Sequence, residues 1–140
     1  MTSAPQGTPA SDADRIAAAQ AYIDALVSHD ASAVRFSSDC TRIEMGLKTG
    51  FSGNHLRRSL NRGPQFRLIS AATLPEYSID GDEVRAVYDI ITKPKLFGMR
   101  VCSHVDEVFV IPADSPDGTA TIHHIRAAIT PFIQRQGKGF

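Results

Sequence analysis

The segment His104-Val105-Asp106 sets an imidazole and a carboxylate two residues apart in a run of apolar and β-branched residues, SHVDEVFVI (Ser103 to Ile111). Alternate residues of a strand project to one face, so the two side chains would stand together. Against an apolar wall such a pair is an acid–base unit. Burial raises a carboxylate pKa, a neighbouring imidazolium lowers it, and histidine already titrates near neutrality. Periodicity leaves the face open, because Val101, Val105 and Phe109 compete with Cys102, Val108 and Val110 for the inside. Glu44 is a further carboxylate, followed by Met45, which cannot take a proton. His123 and His124 are adjacent and so point to opposite faces; with no Cys or carboxylate at ligand spacing, no metal site is expected. Arg57, Arg58 and Arg62 form a basic cluster, read either as a solvated helix face or as partners for an acidic group of a ligand. There is no phosphate loop, dinucleotide fingerprint or Gly-x-Ser-x-Gly elbow.

These residues need elements to hold them. Ser11 with Asp14 has the form of a helix N-terminus, and Ile16, Ala19, Ile23, Leu26 and Val27 then recur at helical spacing, with Tyr22 on the margin of the stripe. A short second helix is expected over Ala31 to Phe36, a short strand over Thr41 to Met45, and a third, amphipathic helix over Asn54 to Leu60, closed by Asn61, Gly63 and Pro64. From Gln65 onward β-branched residues and turns dominate, giving four expected strands: Phe66 to Leu74, Val84 to Thr92, Met99 to Ile111 and Thr119 to Phe132. Asp80-Gly81-Asp82 suits a tight turn, and Lys93 to Gly98 and Pro112 to Gly118 suit longer hairpin loops. In the last strand His123, Ile125, Ala127 and Ile129 make the more apolar face. Helices followed by an antiparallel meander imply an α+β fold, its curved sheet covered by helices.

At 140 residues the chain fits one domain, with residues 1–10 expected as a disordered tail, 11–136 as the domain and 137–140 as a flexible end. Fifteen basic residues balance fifteen acidic ones, so no net field favours nucleic acid or an anionic membrane. Cys40 and Cys102 have no CxxC spacing, which suits a reducing cytoplasm.

The opening AYIDALVSHDASAVRFSSDCTRIEMG (Ala21 to Gly46), the strand SHVDEVFVI and the strand IHHIRAAI (Ile122 to Ile129) resemble, in order and spacing, the nuclear-transport-factor-2-like (NTF2-like) superfamily and its ketosteroid isomerase and SnoaL-like polyketide cyclase group. The resemblance implies a cone of three N-terminal helices on a strongly curved, mainly antiparallel sheet. It implies an inward Asp106 as acid, base or oxyanion donor, His104 as its partner and Tyr22 as an orienting donor. In ketosteroid isomerase one carboxylic acid is kept neutral to donate a hydrogen bond, and a separate aspartate moves the proton; the place of that second aspartate falls here on Met45. The Arg-x-Asp of limonene-epoxide-hydrolase-like members resembles His104 to Asp106, but their second aspartate falls on Ala127. Glu44, Met45, Cys102, His123, Ile125 and Ala127 are expected to line the binding cavity. The implied activity is cofactor-independent proton transfer, as an isomerase, cyclase or dehydratase, on an apolar molecule of steroid, polyketide or terpenoid type. The alternatives are a non-catalytic carrier or sensor, an epoxide-hydrolase-like enzyme, or an assembly module. A homodimer formed through the outer sheet face is expected.

Overall fold

A computed structural model describes residues 9–93 and 97–135. The expectations for residues 1–8 and 137–140, and for the middle of the Lys93 to Gly98 loop, lie outside the described residues. Helix α1 (Asp12–Ser28) starts at Ser11, whose hydroxyl accepts the Asp14 N–H while the Asp14 carboxylate accepts the Ser11 N–H, a reciprocal cap that satisfies two orphan donors. Its buried face carries Ala19, Tyr22, Ile23, Ala25 and Leu26. Arg15 is also buried, and its guanidinium donates to the carbonyls of Ile111 and Gly81 at 2.6 Å each. The helix is thereby tied to the sheet. Just before it, Ala10 is buried and its N–H donates to Ala113 O at 2.9 Å, so this residue packs with the domain.

Among the described residues seven strands follow with two short helices: β1 (Phe36–Glu44), β2 (Leu47–Gly50), α2 (Gly53–Arg62), α3 (Pro64–Arg67), β3 (Ile69–Ala72), β4 (Glu76–Asp80), β5 (Glu83–Thr92), β6 (Met99–Val110) and β7 (Ile122–Arg135). They form one curved sheet in the order β2-β1-β7-β6-β5-β3, with β4 also paired to β5. All pairings are antiparallel except β1 with β7. The helices cover the concave face, and α1 packs on β3 and β5 while α2 packs on β1. The α+β cone expected from the resemblance is the fold observed.

Three local expectations change. Residues 31–35 are not helical. Arg57 instead donates to the carbonyls of Ala31 and Val34, and Asn61 Oδ1 accepts the Ala31 N–H at 2.8 Å; side chains from α2 thus satisfy groups that a helix would have paired internally. Phe66 to Leu74 begins as a helical turn because Pro64, with its fixed φ and absent N–H, suits a first helical position; only Ile69–Ala72 is strand. β1 and β2 form a hairpin through Met45 and Gly46, both at positive φ (52° and 79°), the signature of a two-residue primed turn. Gly53 approaches the backbone so closely that a Cβ there would lie 2.3 Å from Ser37 O, so this start of α2 accepts no side chain.

Candidate active site

The face presented by each strand decides the site. On β6, Val105, Glu107 and Phe109 are buried while His104 is exposed and Asp106 half-buried. On β5 the matching set is Val84, Ala86 and Tyr88, with Arg85 exposed and Asp89 half-buried. His104 and Asp106 therefore lie on the outer face, which reverses the inward orientation expected from the resemblance. Cross-strand chemistry enforces this. Arg85 grips Asp106 with both guanidinium arms, its Nε donating at 2.8 Å, and His104 Nδ1 lies 2.8 Å from Asp89 Oδ1. The Arg85 hydrogen bonds hold the Asp106 carboxyl below the usual aspartate range, against the opposing effect of burial.

The Arg85–Asp106 pair borders an open concavity of about 770 Å³ on the outer sheet face, which also contains the Arg126–Glu83 pair. Its two ion pairs are satisfied within themselves, Asp80 adds an acidic group with no ion-pair partner among the described residues, and the concavity is broadly open to water. Since exposed ion pairs add little to stability, Asp106→Asn is expected to shift Tm by less than about 3 °C in thermal denaturation. A larger loss would mean that the Arg85 bridge organises this face.

Inside the cone is a smaller, more enclosed cavity of about 290 Å³. Tyr22, Leu26, Phe66, Ile69, Ile90, Val105, Ala127 and Ile129 supply apolar surface, while Glu44, Gln65, Tyr88, Thr92, Ser103 and Glu107 bring polar groups. Strand alternation sends Cys40, Arg42 and Glu44 inward from β1. Glu44, expected to line the cavity beside Met45, enters it by ordinary alternation. Met45, placed there by the resemblance, sits in the hairpin turn and is 63 % exposed. Ile125 is fully buried in the core, while Ala127 reaches the cavity wall. His123 is exposed rather than inward, because the simple alternation of β7 is broken between the buried Ile122 and Ile125, where the β1 register shifts. Cys102 shares the outer face with His104 by alternation and is buried there beside Gln134, away from the cavity lining.

Glu107 dominates the cavity electrostatically. It is 2 % exposed, and its Oε1 accepts the Tyr88 hydroxyl proton at 2.5 Å. Burial pushes its pKa up from 4.5 to about 7, with the Tyr88 hydrogen bond and Arg42 pulling against burial and Glu44 adding to it. Burial likewise raises Tyr88, reinforced by the neighbouring Glu107 charge, so this phenol stays protonated.

The second polar centre is Arg42, which is fully buried. It donates from Nε to Thr49 Oγ1 at 3.0 Å, from one terminal nitrogen to the Tyr22 hydroxyl at 3.1 Å, and from the other to Thr49 O and Ser59 Oγ. It lies 5.0 Å from the centre of the Phe66 ring and 3.7 Å from Glu44 Oε1. Tyr22 is buried, and burial pushes its pKa upward despite Arg42. Since its oxygen accepts from Arg42, its proton remains available to a ligand oxygen. No group of three or more His, Cys, Asp or Glu residues suited to a metal ion occurs among the described residues.

The family model described as "Domain of unknown function (DUF8021)" matches residues 8–129. The chain belongs to this family. As a DUF8021 member it matches no curated protein, but solved structures share its fold. A putative hydroxylase, AclR from Streptomyces galilaeus, is 16 % identical with a TM-score of 0.60, over 86 % of this chain and 91 % of that one. An NTF-2 like protein of unknown function from Burkholderia xenovorans LB400 is 14 % identical with a TM-score of 0.59, over 91 % and 90 %. The hexachlorocyclohexane dehydrochlorinase LinA-type3 from Novosphingobium barchaimii LL02 is 16 % identical with a TM-score of 0.56, over 87 % and 94 %. This DUF8021 chain therefore has the NTF2-like fold. Its cavity residues Glu107 and Tyr88, and the buried Arg42 that donates to Tyr22 behind the cavity wall, were absent from the candidates read from the sequence. The available signal was the charge pattern of β5, where Arg85 and Asp89 alternate with Val84, Ala86 and Tyr88 and so mark the outer face of the β6 strand beside it.

Proposed function

We propose that the cone is a cofactor-independent acid–base site that moves a proton on a compact, neutral, largely apolar molecule, with Glu107 as the proton carrier. The supporting observation is a fully buried carboxyl in an apolar cavity, bonded to a phenol and titrating near neutrality; general acid–base catalysis is most effective when the group's pKa lies near the working pH. Ionised Glu107 takes a proton from a carbon next to a carbonyl, and the C–H electron pair moves into the developing enolate. Tyr22, backed by Arg42, donates to the enolate oxygen, and protonated Glu107 returns its proton to another carbon. The same abstraction beside a carbon bearing a leaving group would give elimination. The dehydrochlorinase among the structural neighbours makes that reaction class worth testing beside isomerisation.

A cavity of about 290 Å³ lies at the small end for ligand sites. It suits a ring compound of roughly ten to fifteen non-hydrogen atoms, monoterpenoid rather than steroid in scale. Two carboxylates facing one guanidinium, most of whose donors are already used within the protein, disfavour an anionic ligand. The reading retains a homodimer and a cytoplasmic location as parts of the proposal. Compact enones, hydroxy-ketones and halogenated rings can be screened by thermal shift, then incubated with the protein in D2O and followed by NMR. Deuterium at the acidic carbon, or elimination product, is expected for at least one bound compound. Binding without exchange or elimination across the panel would leave a carrier and remove the enzyme.

A further inference from the structure

The balanced net charge conceals a segregated charge pattern along the sequence. Residues 61–75, 92–104 and 130–140 contain Arg62, Arg67, Lys93, Lys95, Arg100, Arg135 and Lys138, seven of the fifteen Lys and Arg, and none of the fifteen Asp and Glu. The described parts of these segments meet at one end of the cone. Val101 pairs with Ile133 across β6 and β7, and Met99 pairs with Arg135. Phe97 sits in the turn that leads into β6. Thr92 Oγ1 donates to Val101 O, Ile69 pairs with Thr92, and the Lys93 N–H donates to Leu68 O at 2.9 Å. Leu68, Phe97, Met99, Val101, Phe132 and Ile133 are all exposed there, Phe97 to 94 %. Arg67, Lys93, Arg100 and Arg135 surround them, and none has an ion-pair partner among the described residues.

This end is also where the cavity leads. On the inner face of β6 and β7 the cavity residues Val105 and Ile129 are followed by the pairs Ser103 with Pro131, Val101 with Ile133 and Met99 with Arg135. A track that is apolar apart from Ser103 therefore runs from the cavity wall to the exposed tip, where Arg135 closes it. We propose that this tip docks on an anionic lipid surface, its apolar side chains entering the headgroup boundary while the cations meet lipid phosphates and carboxylates. Interfacial binding draws on these two contributions, buried apolar area and attraction to anionic lipid. A second copy of the chain fits less well, because a two-fold interface sets a patch against itself, and here the tip cations would face their own copies. A nucleic acid would meet the charges but leave the aliphatic side chains in water. None of the helices described is long and apolar enough to cross a membrane, so the contact is with the surface. Docking stands apart from the proposed proton transfer. Only delivery of the cavity ligand from the bilayer would rest on that reading.

The test is co-sedimentation of the full chain with phosphatidylcholine vesicles and with vesicles containing phosphatidylglycerol, at low and high salt. Anionic vesicles are expected to bind it at low salt, with binding weakened at high salt. Arg100→Glu with Arg135→Glu should reduce partitioning more than tenfold, since each basic residue near such a surface contributes roughly fivefold. Val101→Ser with Ile133→Ser should weaken it as well, while circular dichroism stays unchanged because these side chains are exposed. Glu107→Gln should bind vesicles normally, which separates docking from chemistry. Absence of vesicle binding, equal binding to neutral and anionic vesicles, or binding untouched by both double variants would overturn the proposal. Conversion of a dimer to a monomer by Val101→Ser with Ile133→Ser, with vesicle binding unaltered, would reassign the tip to self-association.

Discussion

Glu107→Gln is expected to lower turnover by about 10²- to 10⁴-fold, the usual contribution of a positioned general acid–base group, while leaving ligand binding within a few-fold. Glutamine preserves the shape of the side chain and still offers Tyr88 an acceptor, but it cannot carry a proton. If the free enzyme must present ionised Glu107, wild-type kcat/KM should rise with pH through about 7, following the raised pKa. Residual activity of the variant should lose that limb.

Stability supplies an independent check without a substrate. The folded-state pKa of Glu107 is raised from 4.5 to about 7, so its contribution is fully present below about pH 4.5, where the carboxyl is protonated in both states. It is lost as pH rises through 7, where the folded protein must hold a buried carboxylate. The loss is on the order of 3 kcal/mol. Urea midpoints of wild type and Glu107→Gln at pH 5 and pH 8 should therefore diverge in favour of the variant as pH rises. A pH-independent difference between the two proteins would mean that Glu107 titrates as an ordinary carboxyl. The proton-carrier assignment would then fail.

The sequence carried the outline of this fold because the period-2 pattern of β5, β6 and β7 and the helical stripe of α1 are long and regular. The sites proved harder to read because Asp106 and Glu107 are neighbours, and two adjacent carboxylates on a strand must face opposite ways. Apolar residues on both faces of β6 concealed which carboxylate enters the cone. The neighbouring strand settles it: Arg85 and Asp89 can satisfy Asp106 and His104 only on the outer side. Tyr22 and Ala127 were legible because α1 and the regular part of β7 determine their directions. Met45 and His123 were misplaced where regularity fails, one in a positive-φ turn and the other at a break in strand alternation. Arg42 was hidden by residue type, since an arginine in a strand ordinarily faces water. Only the tertiary meeting of β1 with Thr49, Ser59 and Tyr22 makes its burial tolerable.

That burial gives Arg42→Met the largest expected effect on folding. A well-made buried cation adds little over an apolar substitute that repacks the site, but removing one member of a completed polar network leaves the others desolvated and unpaired. Here the remaining groups are the Thr49 carbonyl and hydroxyl, Ser59 Oγ, the Tyr22 oxygen and Glu44. Methionine fills part of the volume and can lie against Phe66, yet offers no donor. A loss of about 3–5 kcal/mol is expected, corresponding to a fall in Tm of roughly 10–20 °C for a domain of this size. Arg42→Lys should recover part of the stability through its charge, but one ammonium group cannot reproduce the planar arrangement of donors. Activity separates the structural role from positioning. If Arg42 orients Tyr22 and Glu44, the lysine variant, assayed well below its Tm, should lose kcat with little change in KM. Thermal denaturation of both variants beside steady-state kinetics of Arg42→Lys makes the comparison. A methionine variant as stable as wild type would show that the network contributes nothing to folding, whereas wild-type kcat in the lysine variant would reduce Arg42 to a structural residue and leave Tyr22 to act unaided.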